Sequence, residues 1–313
     1  TASFRTLVRS NNAGSLNLTG TLNNTTGNGD DTLTLDASTG ALQLVGGTIR
    51  SGSIVIDNTA GGALRIGTAT TGATGFLENV TLRAAPGAGN GVLSLSSGDD
   101  LRIRGALTLD GGVIDLEANS NYTYVRNADN GVAASLLAGP AGGRINLTGN
   151  PAYANVGNFN GNARFDIGTG IVIAGSSVNV DLGASGNNAG VIDATTAGTL
   201  TVTGTNWTNS GTLRASGGTL VTAGTWSSSS PGKLELTAGT LNLGGTFNTA
   251  SFRTLVRSNN AGSLNLIGTL INTGEVLTLD ASVGSMTMVN GTGTIQNGSV
   301  TIAGGSLRSV NGF

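Results

Sequence analysis

Short segments along the chain place an apolar side chain at every second position. Thr199-Leu200-Thr201-Val202-Thr203, Lys233-Leu234-Glu235-Leu236 and Thr240-Leu241-Asn242-Leu243 are typical. A period of two puts one face inward and the other outward, as in a half-buried strand. Gly, Ser and Asn corners separate these segments, and almost nowhere does a 3.6-residue pattern intervene. The pattern therefore predicts an all-β chain of short strands joined by tight corners.

Repetition organises the strands. Residues 1–25 and 249–273 match at 23 of 25 positions, differing at Thr19/Ile267 and Asn23/Ile271. Further on, Leu33-Thr34-Leu35-Asp36-Ala37-Ser38 returns as Leu277-Thr278-Leu279-Asp280-Ala281-Ser282, and Gly52-Ser53-Ile54-Val55-Ile56 returns as Gly298-Ser299-Val300-Thr301-Ile302. The offset drifts between 248, 244 and 246 residues, and one gap falls in the Gly/Asn/Asp-rich stretch 26–31. Indels confined to turns suit a stack of strands with tolerant corners. A period of about 246 residues, followed by the start of the next, is the reading. Both substitutions near the Gly20-Thr21 corner go from polar to apolar, so that corner is expected to be solvated in the first copy and covered in the second.

A shorter period lies within the long one. Gly204-Thr205, Gly224-Thr225, Gly245-Thr246 and Gly268-Thr269 recur every 20 to 23 residues. Units of that size fit a parallel β-helix (β-solenoid) with about 20 residues per coil and on the order of 15 coils. A propeller blade would need about 40–50 residues and a blade signature, and neither is found. The expected layout is β-solenoid coils over 1–118, an irregular loop or excursion over 119–165, coils over 166–248, and over 249–313 the start of the next repeat, a copy of 1–65. Residues 119–165 stand apart because they hold all three tyrosines, Tyr122, Tyr124 and Tyr153, and two of the four prolines, with faint alternation. Long loops on rigid scaffolds often carry function, which makes these tyrosines a candidate contact site beside the blander reading of a tolerated insertion.

Composition narrows the chemistry. The 313 residues include 53 glycines but no cysteine and no histidine. Disulfides, thiolate or imidazole metal sites, Ser-His-Asp triads and Cys-His pairs are thereby excluded. Only 10% of residues are charged, and 15 basic residues nearly balance 17 acidic ones. No electrostatic footprint for nucleic acid is present. No apolar run long enough to span a membrane as a helix occurs, so no membrane insertion of this segment is expected. No charged n-region followed by an apolar stretch opens the chain, so no signal peptide is read.

Three clusters bear on function. Asp99, Asp100, Arg102, Arg104, Asp110, Asp115 and Glu117 form the densest polar group. Ion pairing across stacked coils is the expected role, ahead of divalent-cation binding and of acid/base work on a glycan. For calcium, which takes oxygen ligands, the candidate corners are Gly27-Asn28-Gly29-Asp30-Asp31 and Ser97-Gly98-Asp99-Asp100. Ordinary Asx turns are expected at both, and no cofactor is predicted. Trp207, Trp226 and Phe247 follow the Gly-Thr step in three successive units; they are expected to stack as a ladder, buried as a core column rather than exposed to sugars. The sequon Asn79-Val80-Thr81 is no more than chance supplies in an Asn/Thr-rich chain.

The string 244–255, Gly-Gly-Thr-Phe-Asn-Thr-Ala-Ser-Phe-Arg-Thr-Leu, continues into Gly-Ser-Leu-Asn-Leu-Ile-Gly-Thr-Leu-Ile-Asn-Thr at 262–273, and then into 277–282 and 293–301. These segments resemble the β-strand repeats of very large bacterial surface proteins, of the filamentous-haemagglutinin-like adhesin and autotransporter-passenger kind. The resemblance implies a right-handed parallel β-helix, secretion to the cell surface or beyond, and a role as fibre, stalk or adhesin, with no catalytic residues to carry over. The functional expectation is a non-enzymatic structural repeat unit of a longer fibre that self-associates through stacked strands, the chain beginning in mid-coil. The alternative is an adhesin stalk that binds glycans or cell surfaces through 119–165. A polysaccharide-cleaving β-helix is more remote, and an ice-binding threonine array weaker still.

Overall fold

The computed structural model describes residues 15–26, 29–67, 72–118, 121–149, 154–158, 163–175, 178–289 and 291–310. The chain is an all-β parallel β-solenoid of about 12 turns, with ~23 residues per turn and 1% helix. It divides into two compact units, Thr1–Ile173 and Ala174–Phe313.

In the first unit one sheet runs through Leu16–Leu18, Ala41–Leu44, Ala63–Ile66, Gly91–Leu95, Gly112–Ala118 and Gly143–Gly149, each strand parallel to the next. The register aligns Leu42, Leu64, Leu93, Ile114 and Ile145 in a single buried column. Elsewhere in the unit, Leu33, Ile54, Leu82 and Leu109 form a second column. Each such side chain contributes about 1.5–3 kcal/mol by leaving water. Like residues meet because parallel in-register stacking places the same coil position one strand spacing away.

Two long strands, Thr74–Ala84 and Asp100–Asp110, pair with each other, and their register shifts between Glu78 and Val80. Asn79 makes the shift, with a left-handed φ of 52°. Asn tolerates that region better than most residues, and the Asn79 Oδ1 accepts the Ala106 N–H at 3.1 Å. The sequon asparagine is thus a backbone pivot.

The expected excursion over 119–165 is replaced by ordinary coils wherever that stretch is described. Thr123–Asn127 and Ala134–Ala138 pair in parallel with Asp100–Asp110, Gly143–Gly149 pairs with Gly112–Ala118, and Ala154–Gly157 pairs with Thr123–Asn127. Small inward residues disguised the alternation: Thr123 and Ala134 are buried beside Val125 and Leu136, while Leu137 faces out. Coil length was also underestimated. Successive coils are 21 residues apart at Arg214 and Glu235, but 26 at Asp100 and Arg126 and 31 at Asp115 and Asn146. Longer strands and corners in the first unit therefore give about 12 turns instead of the expected 15 or so.

In the second unit, Val191–Ala194, Thr212–Ala215, Lys233–Leu236 and Leu255–Arg257 form one parallel sheet. Another face carries the column Leu200, Leu220, Leu241, Leu264 and Met286. The Gly-Thr corners follow from backbone crowding. Gly224 and Gly245 have φ of 73° and 67°, and a Cβ on either would strike the carbonyl oxygen of the glycine one coil earlier, Gly204 and Gly224 respectively. Only glycine combines that φ with that approach. At Asn248 the chain leaves the strand and makes a single helical turn, Thr249–Phe252, which Asn248 caps by accepting the Ser251 N–H at 2.8 Å.

Pairings recur with the long sequence period. Leu22 faces Ile49 as Leu270 faces Ile295, and Leu33 faces Ile54 as Leu277 faces Val300. Likewise Leu42 faces Leu64 as Met286 faces Leu307. At the corner near Gly20, Thr19 is exposed and Ile267 half-buried, whereas Asn23 and Ile271 are both exposed. Covering in the second copy therefore holds at the first pair only, since strand alternation turns Ile271 outward beside the buried Leu270.

Candidate functional site

Trp207, Trp226 and Phe247 are stacked, with ring centroids 5.6 and 4.6 Å apart and planes within 20°. All three are buried. Parallel pairing of Trp207–Asn209 with Trp226–Ser228 sets the first contact. Each indole N–H is satisfied locally: Trp207 Nε1 donates to Ala223 O at 3.0 Å and Trp226 Nε1 to Gly244 O at 2.9 Å. Sugar stacking needs an open ring face, and these faces are taken by one another. Ser228 and Asn209, inward on the same strands, continue the packing as a polar ladder in which Asn209 donates to the Ser228 hydroxyl at 3.2 Å and Asn188 donates to Asn209 Oδ1 at 2.8 Å.

The tyrosine region gives a different surface. Tyr122 is 52% exposed and stacks on Tyr124 at 5.9 Å. The Arg126 guanidinium lies 4.5 Å from the Tyr124 ring centroid and pairs with Asp100 at 2.7 Å. The bond to Asp100 holds the guanidinium of Arg126 above its ordinary pKa, and burial pushes the Tyr124 phenol up. One coil back, Arg102 and Arg104 sit 5.6 and 4.8 Å from the Phe76 ring, and Arg104 pairs with Asp129 at 2.8 Å. Tyr153 lies outside the described residues.

Phe76, Arg126 and Asp129 escaped the reading of the chain. Phe76 faces Arg102, and Arg102 faces Arg126, in register. A coil of 26 residues at this point would have aligned them; a uniform coil of about 20 does not.

The acidic cluster is dispersed by the fold. Arg102 pairs with Asp100 at 2.8 Å and Arg83 with Asp110 at 3.3 Å. Asp115 lies on the other sheet, where Asn146 donates to it at 2.8 Å. Arginine over Asp115 and Glu117 is therefore not the arrangement: the arginines of Asp100–Asp110 meet Asp100 and Asp129 instead. At the corner Ser97–Asp100, Asp99 accepts backbone N–H groups from Ser96 at 2.7 Å and Ala73 at 3.2 Å. Burial nonetheless pushes its carboxyl up to about 6. At the other candidate cation corner, residues 27 and 28 lie outside the described residues. Among the described residues no three acidic side chains converge on one point.

The last described coil, reaching Val310, is the third candidate. Its strands Thr294–Gln296 and Ser299–Ala303 are the outermost of their sheets. Val300 is 39% and Ile302 51% exposed, whereas their first-copy counterparts Ile54 and Ile56 are both 0% exposed. No helix among the described residues is long and apolar enough to cross a membrane.

The molecule so defined is a parallel β-solenoid with a buried aromatic stack, an outward arginine–tyrosine face and an apolar coil end. No protein-family model, no curated protein and no solved structure matches the chain.

Proposed function

We propose that the chain is a structural segment of an extracellular fibre or surface filament, built by repeating this solenoid and extended by stacking parallel strands. The observation that carries this reading is the recurrence of Leu22–Ile49, Leu33–Ile54 and Leu42–Leu64 as Leu270–Ile295, Leu277–Val300 and Met286–Leu307. Structure that repeats with sequence is the property of a quasi-one-dimensional array, whose units contact only their neighbours. Secretion and the bacterial surface belong to the proposal and rest on the resemblance of 244–301 to surface-protein repeats. Electron microscopy of native material is the test. Long unbranched filaments are expected, and a population of short discrete particles sinks the reading.

A second reading, a glycan-binding stalk, draws on the exposed Tyr122 stacked on Tyr124 beside Arg126. Replacing Tyr122 and Arg126 by alanine should abolish retention on a glycan array; unchanged retention removes it.

A further inference from the structure

The first copy of the repeat shows what belongs on the exposed coil. There Ile49, Ile54 and Leu64 are covered by Leu77, Leu82 and Leu93 of the following coil. That coil also supplies backbone donors: Phe76 N–H to Gly47 O at 2.9 Å, Thr81 N–H to Gly52 O at 3.0 Å and Ala85 N–H to Ile56 O at 3.1 Å. In the second copy the corresponding residues are Ile295, Val300 and Leu307, and the corresponding carbonyls are those of Gly293, Gly298 and Ile302. Alignment of the two copies extends through Ala60-Gly61-Gly62-Ala63-Leu64-Arg65, which returns as Ala303-Gly304-Gly305-Ser306-Leu307-Arg308. Shape, register and hydrogen-bonding pattern are thus all specified by a pair of coils already joined elsewhere in the molecule.

We infer that the edge Thr294–Val310 is a docking surface for one kind of partner, a solenoid coil with the inward pattern of Thr74–Leu95. The inference rests on reading the chain as a solenoid segment. The occupant belongs to polypeptide of the same repeat, and it is not the Thr74–Leu95 coil of an intact second copy. In an intact chain that coil is already covered on its far side by Asp100–Asp110 and Gly112–Ala118. An exposed strand edge with apolar inward positions templates addition of another strand, and a two-residue period makes the addition register-specific.

The chain has no cysteine, so the Ile302→Cys variant carries one thiol, placed at the edge. In a chimera with residues 66–118 joined after Arg308, its labelling by a thiol reagent should slow by at least ~10-fold relative to the unextended variant, because access would require local opening. An extension of the same composition in shuffled order should leave labelling fast. Equal labelling with both extensions, or slow labelling without any, overturns the inference. Circular dichroism on each variant verifies that the coils before residue 294 remain folded. The two proposals fail separately: protection of the thiol in the chimera together with short native particles would leave the docking edge standing and remove the fibre, whereas native filaments with no protection would do the reverse.

Discussion

Asp99 and Asp36 show how the same side chain is used in opposite ways. Asp36 Oδ1 accepts the Ser38 hydroxyl at 2.6 Å and the Ser38 N–H at 2.8 Å, and Asp280 repeats this with Ser282 at 2.6 and 2.9 Å. Those hydroxyls hold both carboxyls below their ordinary range. Their contribution to stability is therefore present above pH ~3.8 and is lost as pH falls through the lower folded pKa. Asp99 is displaced upward to about 6 by burial. The native state then binds its proton more tightly than the unfolded chain, so its contribution is full below pH ~3.8 and is lost as pH rises through 6. Thermal melts of Asp99→Asn should gain on the parent chain steadily between pH 4 and 7, and parallel curves would refute this. Gly224→Ala tests the corner: with φ at 73° and the Gly204 carbonyl in the way, urea unfolding should show a loss of about 1–3 kcal/mol. A loss below ~0.5 kcal/mol would mean the corner relaxes freely.

At the level of elements, the aromatic stack is the costliest to disturb. Trp226→Ala removes a ring packed against Trp207 and Phe247 and leaves the Gly244 carbonyl without its indole donor. A cost of about 3–5 kcal/mol is expected from equilibrium unfolding, with Trp226→Phe well under half of that. Comparable losses for the two variants would show that packing of the rings is not what matters. This stack was legible because the Gly-Thr step marks it every 20 or so residues. The arginine–phenylalanine face was not, since its partners lie 26 residues apart, and alternation alone reveals which way a residue faces but not which neighbour it meets. Arg257 escaped for a related reason. It occupies an inward register position opposite Leu236, yet donates to the carbonyls of Ala261, Gly262, Val283 and Ser285. Burial holds its pKa below the ordinary arginine value. A charged residue in an apolar column breaks the pattern from which burial is read.

For the molecule as a whole, aliphatic columns rather than charges carry the fold. Ten per cent of residues are charged, and several pairs, such as Arg50–Glu78 and Arg253–Glu275, have half-exposed arginines. Such pairs contribute about 0–1 kcal/mol each. Raising NaCl to about 1 M, where the screening length is ~3 Å, should leave the unfolding free energy within about 1–2 kcal/mol of its low-salt value. A loss of several kcal/mol would show that ion pairing had been undervalued. The solenoid and its long period were readable from duplicated segments and alternation, which depend only on inward positions. Turn number was not, because corners vary in length without altering any column.

That tolerance at the corners has an evolutionary side. Coils of 21 and 31 residues keep their inward side chains aligned equally well, so lengthening a bend does not disturb the stack beneath it. Descendants of such a chain are free to rewrite their outer ornament bend by bend, while the spine they inherit must be copied almost letter for letter.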